Sequence, residues 1–356
     1  MYRNALMSRT YLTAFAVGMF LAIGTHSARA EIDVDPLFAS DEILDVRIEA
    51  PFSMLSKVRP DEEEAAGKFS YRGADGELVE FDIAVRTRGR LRRGKEICAF
   101  PPFRLNFKKS QVKDTLFHKQ DKLKLVSHCR HNARPYEQSV ISEYLVYRIF
   151  NLLTERSFHV RLLRATYTHT DRDREDQGYA IIIEHKDRLE KQLGGKTIDT
   201  QRVKIDSIVP EDLNLTSVFQ YLIGNTDFSP IASAPEEDCC HNQVLFTREG
   251  AKSLTVPYDF DQSGLVDAPY AAPNPRFKLR NVRDRLYRGR CMNNERLPAT
   301  LELFRERRAD IEALIENQEG LADKTRRSML DYIGQFYRTI DEPKRLTREI
   351  VKRCIN

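Results

Sequence analysis

The stretch from Leu222 to Tyr270 restricts the fold most. Two short apolar runs, Val244-Leu245-Phe246 and Leu254 to Val256, are joined by a polar turn from Thr247 to Lys252 that contains Gly250. Strand-like runs around a glycine-containing turn predict a β-hairpin. A hairpin brings its two open ends together, so the residues before its first strand must lie beside those after its second. Asn242 stands at the entrance, and Asp259-Phe260-Asp261 stands at the exit. Upstream, Asn225-Thr226-Asp227 follows an apolar run (Val218 to Ile223) that reads as the end of a buried helix.

This ordered set has a chemical meaning. Phosphoryl transfer uses one carboxylate to orient or deprotonate the attacking group, and an Asn amide oxygen with a second carboxylate to hold Mg²⁺ on the phosphates. Mg²⁺ takes hard oxygen ligands and uses one or two carboxylates plus phosphate. Each residue taken singly is an ordinary turn former. The order of the set around the hairpin is what points to the chemistry.

The N-terminus reads as a secretory signal peptide over residues 1–30. Arg3 and Arg9 give a positive start, Leu12 to Gly24 is apolar, and Ser27-Ala28-Arg29-Ala30 offers small residues for cleavage. A retained anchor is the alternative, although the run is short for a bilayer span. No other stretch approaches membrane-spanning length, so no stable span is expected after cleavage near Ala30/Glu31. The formal charge of +4 falls to +1 once Arg3, Arg9 and Arg29 are removed, because no acid leaves with them. A near-neutral chain gives no support to a nucleic-acid partner. The expected location is the periplasm or the outside of the cell.

All six cysteines lie beyond that segment: Cys98, Cys129, Cys239, Cys240, Cys291 and Cys354. An even count in an exported chain favours disulfides. The expected pairs are Cys98 with Cys129, and one of Cys239 or Cys240 with Cys291, which would pin the loop between Asp227 and Asn242. Cys239-Cys240-His241 lacks the spacing usual between zinc ligands.

Period-two alternation predicts strands at Asp45 to Ala50, Lys68 to Tyr71, Val79 to Val85, Phe103 to Phe107, Leu123 to Val126, Val160 to Tyr167 and Tyr179 to Ile183. Helical spacing predicts helices over Glu137 to Leu153, from Pro210 onwards, and over Pro298 to Asn317, Ala322 to Thr339 and Glu342 to Arg353. The basic run Arg86 to Lys95 contains Gly89 and Gly94. Backbone N–H groups at glycine bends cradle anions and Arg forks match phosphate, which singles out Arg88 and Gly89; the rest of the run reads as a solvated basic turn. Lys108 is a candidate cation for phosphate, and Glu184 ends an apolar strand at a charged switch.

Together these pieces resemble the CotH kinase family and, more distantly, HipA-type kinases. Arg86-Thr87-Arg88-Gly89, Pro102 to Lys108, Tyr179 to Glu184, and the Asn225-Thr226-Asp227, His241-Asn242, Asp259-Phe260-Asp261 core carry the likeness, over roughly residues 80–270. The resemblance implies an α+β, two-lobed atypical protein-kinase-like fold. Residues 31–190 would form an antiparallel-sheet N-terminal lobe and residues 191–356 a mainly helical C-terminal lobe. It implies ATP with Mg²⁺ or Mn²⁺, and a Ser/Thr hydroxyl on a protein or another cell-envelope acceptor. By position, Asp227 would be the catalytic carboxylate, with Asn225 in its tripeptide. Asn242 and Asp259 would be metal ligands with Asp261 assisting, and Arg88, Lys108 and Glu184 would serve the nucleotide. The gap between Asp227 and Asn242 is longer than the family pattern. Two alternatives stay open: an inactive pseudokinase that binds or braces in the envelope, and a nucleotidyl or glycan-directed transferase.

Overall fold

Alternation in the first half of the chain builds the strands it predicts, and their inward-facing residues form one core. In the computed structural model, which describes Met1 and residues 34–198, 200–234 and 239–356, this half comprises β1 (Leu44–Ala50), α1 (Phe52–Val58), β2 (Ala65–Arg72), β3 (Leu78–Thr87), β4 (Phe103–Phe107), β5 (Lys122–Val126), α2 (Arg134–Leu153), β6 (Val160–His169) and β7 (Glu175–Ile183). Apart from Met1, the signal-peptide segment lies outside the described residues. Residues Asp33–Asn356 make one compact unit.

The seven strands close into a barrel in the order β1-β2-β3-β4-β5-β7-β6. Six of its pairings are antiparallel, but β1 runs parallel to β6, with Leu44 opposite Leu163 and Ala50 opposite His169. The expected two-lobed kinase-like fold with an open antiparallel-sheet lobe is therefore corrected: the sheet is a closed mixed barrel, accompanied by eight helices among the described residues. Period-two alternation reports which face of a strand is buried, not which distant strand it joins or in which direction. Closure gives every strand two neighbours and leaves no edge.

Alternate residues of β3, β4 and β5 (Phe81, Ile83, Val85; Phe103, Leu105, Phe107; Leu123, Leu125) fill the barrel. Phe69, Phe81, Phe107 and Phe117 meet there with centroids 4.9–5.9 Å apart. Burying each ring stabilises the fold by about 2–3 kcal/mol. A second core lies outside the barrel. The outward residues Val160, Leu162, Ile181 and Ile183 pack on α2, which in turn packs on the second half of the chain. That half comprises α3 (Lys186–Leu193), β8 (Lys196–Thr197), α4 (Pro210–Ile223), β9 (Gln243–Thr247), β10 (Leu254–Pro257), α5 (Leu297–Glu306), α6 (Arg308–Glu316), α7 (Asp323–Asp341) and α8 (Pro343–Glu349). The predicted hairpin is present as β9–β10, and β8 extends it to three strands.

Cys98 is bonded to Cys129, as expected. The other expected pair is corrected: Cys239 is bonded to Cys240, and Cys291 to Cys354. The C-terminus lies along the segment before Cys291, with Ile355 N donating to Gly289 O at 2.8 Å and Cys291 N to Ile355 O at 3.0 Å. Tertiary placement thus selects the partner, and residue spacing does not reveal it. Among the described residues, no helix is long and apolar enough to cross a membrane.

His128 follows β5 at the barrel end. Its ring stacks on Phe100 at 5.1 Å and its Nε2 lies 2.9 Å from His131 Nδ1. Burial, and then the neighbouring His131, push its pKa down from 6.5 to about 3. Between those values the unfolded chain binds a proton that the folded chain does not, so stability rises with pH across the window and is lost as pH falls through it. At pH 5 this residue alone is expected to cost about 2 kcal/mol relative to pH 7.5. His128→Phe keeps a ring on Phe100 and removes the titration. A smaller acid-induced loss in its urea midpoint than in the wild type is expected; equal losses would clear His128 as the cause.

Candidate active site

The site is assembled from four pieces of chain. The first follows α4, which ends at Gly224 in the left-handed region (φ +65°), where a Cβ would meet the Tyr332 hydroxyl at 1.9 Å. The chain then turns through Asn225-Thr226-Asp227. Asn225 is buried, and its Oδ1 accepts from Asp227 N at 2.8 Å, so it shapes the turn that presents Asp227. Arg288 holds the same turn from behind, donating to Thr226 O at 2.9 Å and Phe228 O at 2.6 Å.

The β9–β10 hairpin supplies the second piece. Asn242 and Asp259 flank its open end, and both have left-handed backbones (φ 53° and 61°). Asn and Asp tolerate this region better than other residues with a Cβ. Asn242 Nδ2 donates to Asp227 O at 2.6 Å and to Asp227 Oδ2 at 3.1 Å, while His241 Nε2 lies 2.9 Å from Asp227 Oδ1. Both carboxylate oxygens of Asp227 are thereby fixed in direction. Asp259 N donates to the Tyr147 hydroxyl at 2.9 Å, and the Asp259 side chain stays 39% exposed.

The third piece is the loop between β3 and β4, tied down by the Cys98–Cys129 bond. It bends at Gly89 (φ +90°) and carries Arg92 inward. Arg92 is buried and bridges three carboxylates: Glu143 at 3.2 Å, Asp259 at 3.3 Å and Asp261 at 3.2 Å. Burial raises the pKa of Glu143 and of Asp261, and Arg92 pulls both back down.

The fourth piece is a row of cations on the outer face of the barrel. The register sets Arg86 opposite Arg104 and Arg104 opposite Lys124 across three adjacent strands. Like charges directly opposite destabilise a sheet. Arg104 Nε is buried without a hydrogen-bond partner. Desolvation, and then the neighbouring Arg88, lower the Lys124 amine to about 7. Glu64 stands beside Arg86 and Arg104, and Lys124 is left facing the cleft.

Parts of these pieces line one cleft of about 760 Å³, with Arg88, Gly89, Arg92 and, from the row, Lys124 on the barrel side and Asp227, His241, Asn242, Asp259 and Asp261 on the other. Of the residues singled out in the sequence, Arg88, Asp227, Asn242, Asp259 and Asp261 meet here, with Asn225 directly behind Asp227. Asp261 is buried and bonded to Arg92. Lys108 and Glu184 lie outside the cleft lining. Lys108 is exposed and pairs with Asp82 at 3.2 Å. Glu184 is buried at the end of β7, holding His159 N at 3.1 Å and Gln192 Nε2 at 3.1 Å. Sequence reasoning missed Lys124, Arg92 and Glu143. A usable signal existed for one of them: Glu143 is a lone acid within an apolar helix face.

Among the described residues, no group of three or more His, Cys, Asp or Glu side chains is placed to hold a metal by itself. The half-exposed Asp259 beside Asn242 suits the way Mg²⁺ binds with phosphates, using one or two protein carboxylates. No family model matches this chain, and no curated protein matches it.

Two outcomes follow from this geometry. Arg92→Ala leaves Glu143 and Asp261 buried without a counter-charge and is expected to cost about 3–5 kcal/mol, read as a lowered urea midpoint. Adding Glu143→Gln to it should restore part of the loss. Sulfate binding, followed by calorimetry, is expected to weaken as pH rises through about 7, where Lys124 loses its proton. Lys124→Arg should flatten that dependence; an unchanged slope would show that Lys124 does not face the anion.

Proposed function

We propose that this chain is an extracytoplasmic phosphotransferase that moves the γ-phosphate of ATP to a hydroxyl, the acceptor being a protein Ser or Thr. The observation that carries the reading is the two-sided cleft: the cations Arg88 and Lys124 stand on one wall, and a fixed carboxylate and amide set stands on the other. Phosphoryl transfer depends on positioning and electrostatic stabilisation more than on covalent chemistry with the protein. Arg88 and Lys124 would bind the phosphates. Asp227, aligned by His241 and Asn242, would take the acceptor's proton as its oxygen bonds to the γ-phosphorus and the bond to the ADP oxygen breaks. Asp259 and the Asn242 amide oxygen would be the protein ligands of Mg²⁺ or Mn²⁺, which when bound supplies positive charge on the phosphate oxygens. Disulfides persist in oxidising compartments, and the three cysteine pairs support a periplasmic or secreted location.

One observation favours a second reading. Arg92 already neutralises Asp259 and Asp261, which suits a non-catalytic protein that binds phosphate-bearing ligands without a metal. Thermal shift and γ-phosphate transfer separate the two readings. A ligand that binds only the folded state raises the melting temperature. For the phosphotransferase, ATP with Mg²⁺ or Mn²⁺ raises it more than ATP alone. Asp259→Ala abolishes that metal-dependent increment. Asp227→Ala keeps the shift but lowers transfer by at least about 100-fold, the scale of a lost acid–base group. A metal-independent shift without transfer supports the second reading, and no shift under any condition removes both.

A further inference from the structure

The segment Arg276 to Arg290 carries seven Arg or Lys residues and one acid, Asp284. Most of its cations are committed to holding the fold. Arg283 pairs with Asp267 at 3.2 Å. Arg285 donates to the carbonyls of Tyr221, Leu222 and Tyr332 and stacks on the Tyr332 ring. Arg288 holds the Asp227 turn, and Arg290 donates to Asn356 O. Arg276 and Lys278 have no ion pair among the described residues, and Arg280 meets Asp284 through its backbone N at 2.8 Å and its guanidinium at 3.5 Å, the side chain remaining 89% exposed. The exposure alternates: Arg276, Lys278 and Arg280 face outward, and Phe277 and Leu279 are half-buried. Phe277 turns inward to Arg288, which lies over its ring at 4.7 Å.

This outward row is tied to the site. Asn274 Nδ2 donates to Thr226 O at 3.2 Å, the carbonyl that Arg288 also holds, immediately before Asp227. Arg276 follows two residues later and lies close enough to Arg288 to help lower its pKa, after burial. Arg276 therefore lies behind the Asp227 turn, just outside the cleft lining, on the side where the phosphate acceptor rather than the nucleotide would enter.

We infer that Arg276, Lys278 and Arg280 form a docking surface for an acidic peptide, one whose hydroxyl residue is flanked by Asp or Glu. This inference rests on the phosphotransfer reading for what happens to the hydroxyl, but not for the docking itself. Binding in the membrane interface needs apolar side chains beside the basic ones, and none of the large exposed apolar residues lies in this segment. Single-stranded nucleic acid needs exposed rings to stack on, and neither ring of the segment offers one: Arg288 lies over Phe277, and Tyr287 is buried. An acidic peptide needs only the charges.

The test uses the protein beginning near Glu31 with its disulfides intact. Three fluorescent Ser-containing peptides of equal length, with flanking Glu, Gln or Lys, are titrated at low salt without nucleotide and read by anisotropy. The Glu peptide is expected to bind at least about tenfold tighter than the Gln peptide, and more salt should erase the difference, as for exposed charges. The triple variant Arg276→Glu, Lys278→Glu, Arg280→Glu should reverse the order in favour of the Lys peptide, with its melting temperature showing that the fold is kept. No preference among the peptides, or the same preference in the triple variant, overturns the inference. Binding to phosphatidylserine vesicles through these residues, without peptide binding, also overturns it. The two proposals fail separately. A Glu peptide that binds through this surface but never receives phosphate removes the phosphotransfer reading alone, and equal phosphorylation of all three peptides removes the docking surface alone.

Discussion

The ion network around Arg92 is the joint on which the site depends. Its guanidinium reaches from the β3–β4 loop to Glu143 on α2 and to Asp259 and Asp261 after the hairpin, so one side chain connects three elements distant in sequence. Moving charges out of water is expensive, and a buried ion is tolerated only when it is paired. Each member of this network therefore requires the others. The Cys98–Cys129 bond anchors the loop that carries Arg92, while Tyr147 fixes the backbone of Asp259. A cleft built on such a network is held in place before any ligand arrives, which is the condition for electrostatic stabilisation at low reorganisation cost.

Backbone demands and chemical demands overlap at the hairpin mouth and have to be separated. Asn242 and Asp259 both adopt left-handed conformations, so turn geometry by itself accounts for finding Asn and Asp there. It does not account for Asp227 or Asp261, which are not in that region, nor for Glu143 within an apolar helix. Residues that no turn requires carry the stronger case for chemistry. Asp227 is the clearest of them, because two side chains are spent on aligning it.

Much of the secondary structure was legible, because buried faces impose periodicity locally. The strands of the first half, α2, the hairpin and the closing helices all follow from their apolar spacing, with the predicted helix over Pro298 to Asn317 broken into α5 and α6 at Arg307. The barrel was not legible, because its closure rests on β1 joining β6 more than a hundred residues downstream, and no local pattern encodes that pairing. The same limit applies to the cysteines. Cys98 and Cys129 were paired correctly, whereas Cys291 finds Cys354 only because the C-terminus returns to Gly289.

The placement of lysines shows how the missed topology and the missed site residues are linked. Lys108 and Lys124 both belong to basic, alternating stretches, and sequence alone offers no reason to prefer Lys124. The register does. Phe103, Leu105 and Phe107 point into the barrel, which turns Arg104 outward, and Lys124 lies opposite Arg104 on the next strand. Arg86 continues the row on the other side. Lys108 lies just past the end of β4 and is neutralised by Asp82, so its charge is already satisfied. Lys124 stands among Arg88 and Arg104, and that repulsion adds to desolvation in loosening its proton. The Glu64 carboxylate already stands beside Arg86 and Arg104, which leaves Lys124 as the cation of the row that faces the cleft. The cross-strand register thus explains why Lys124, and not Lys108, reaches the cleft that Asp227 also lines.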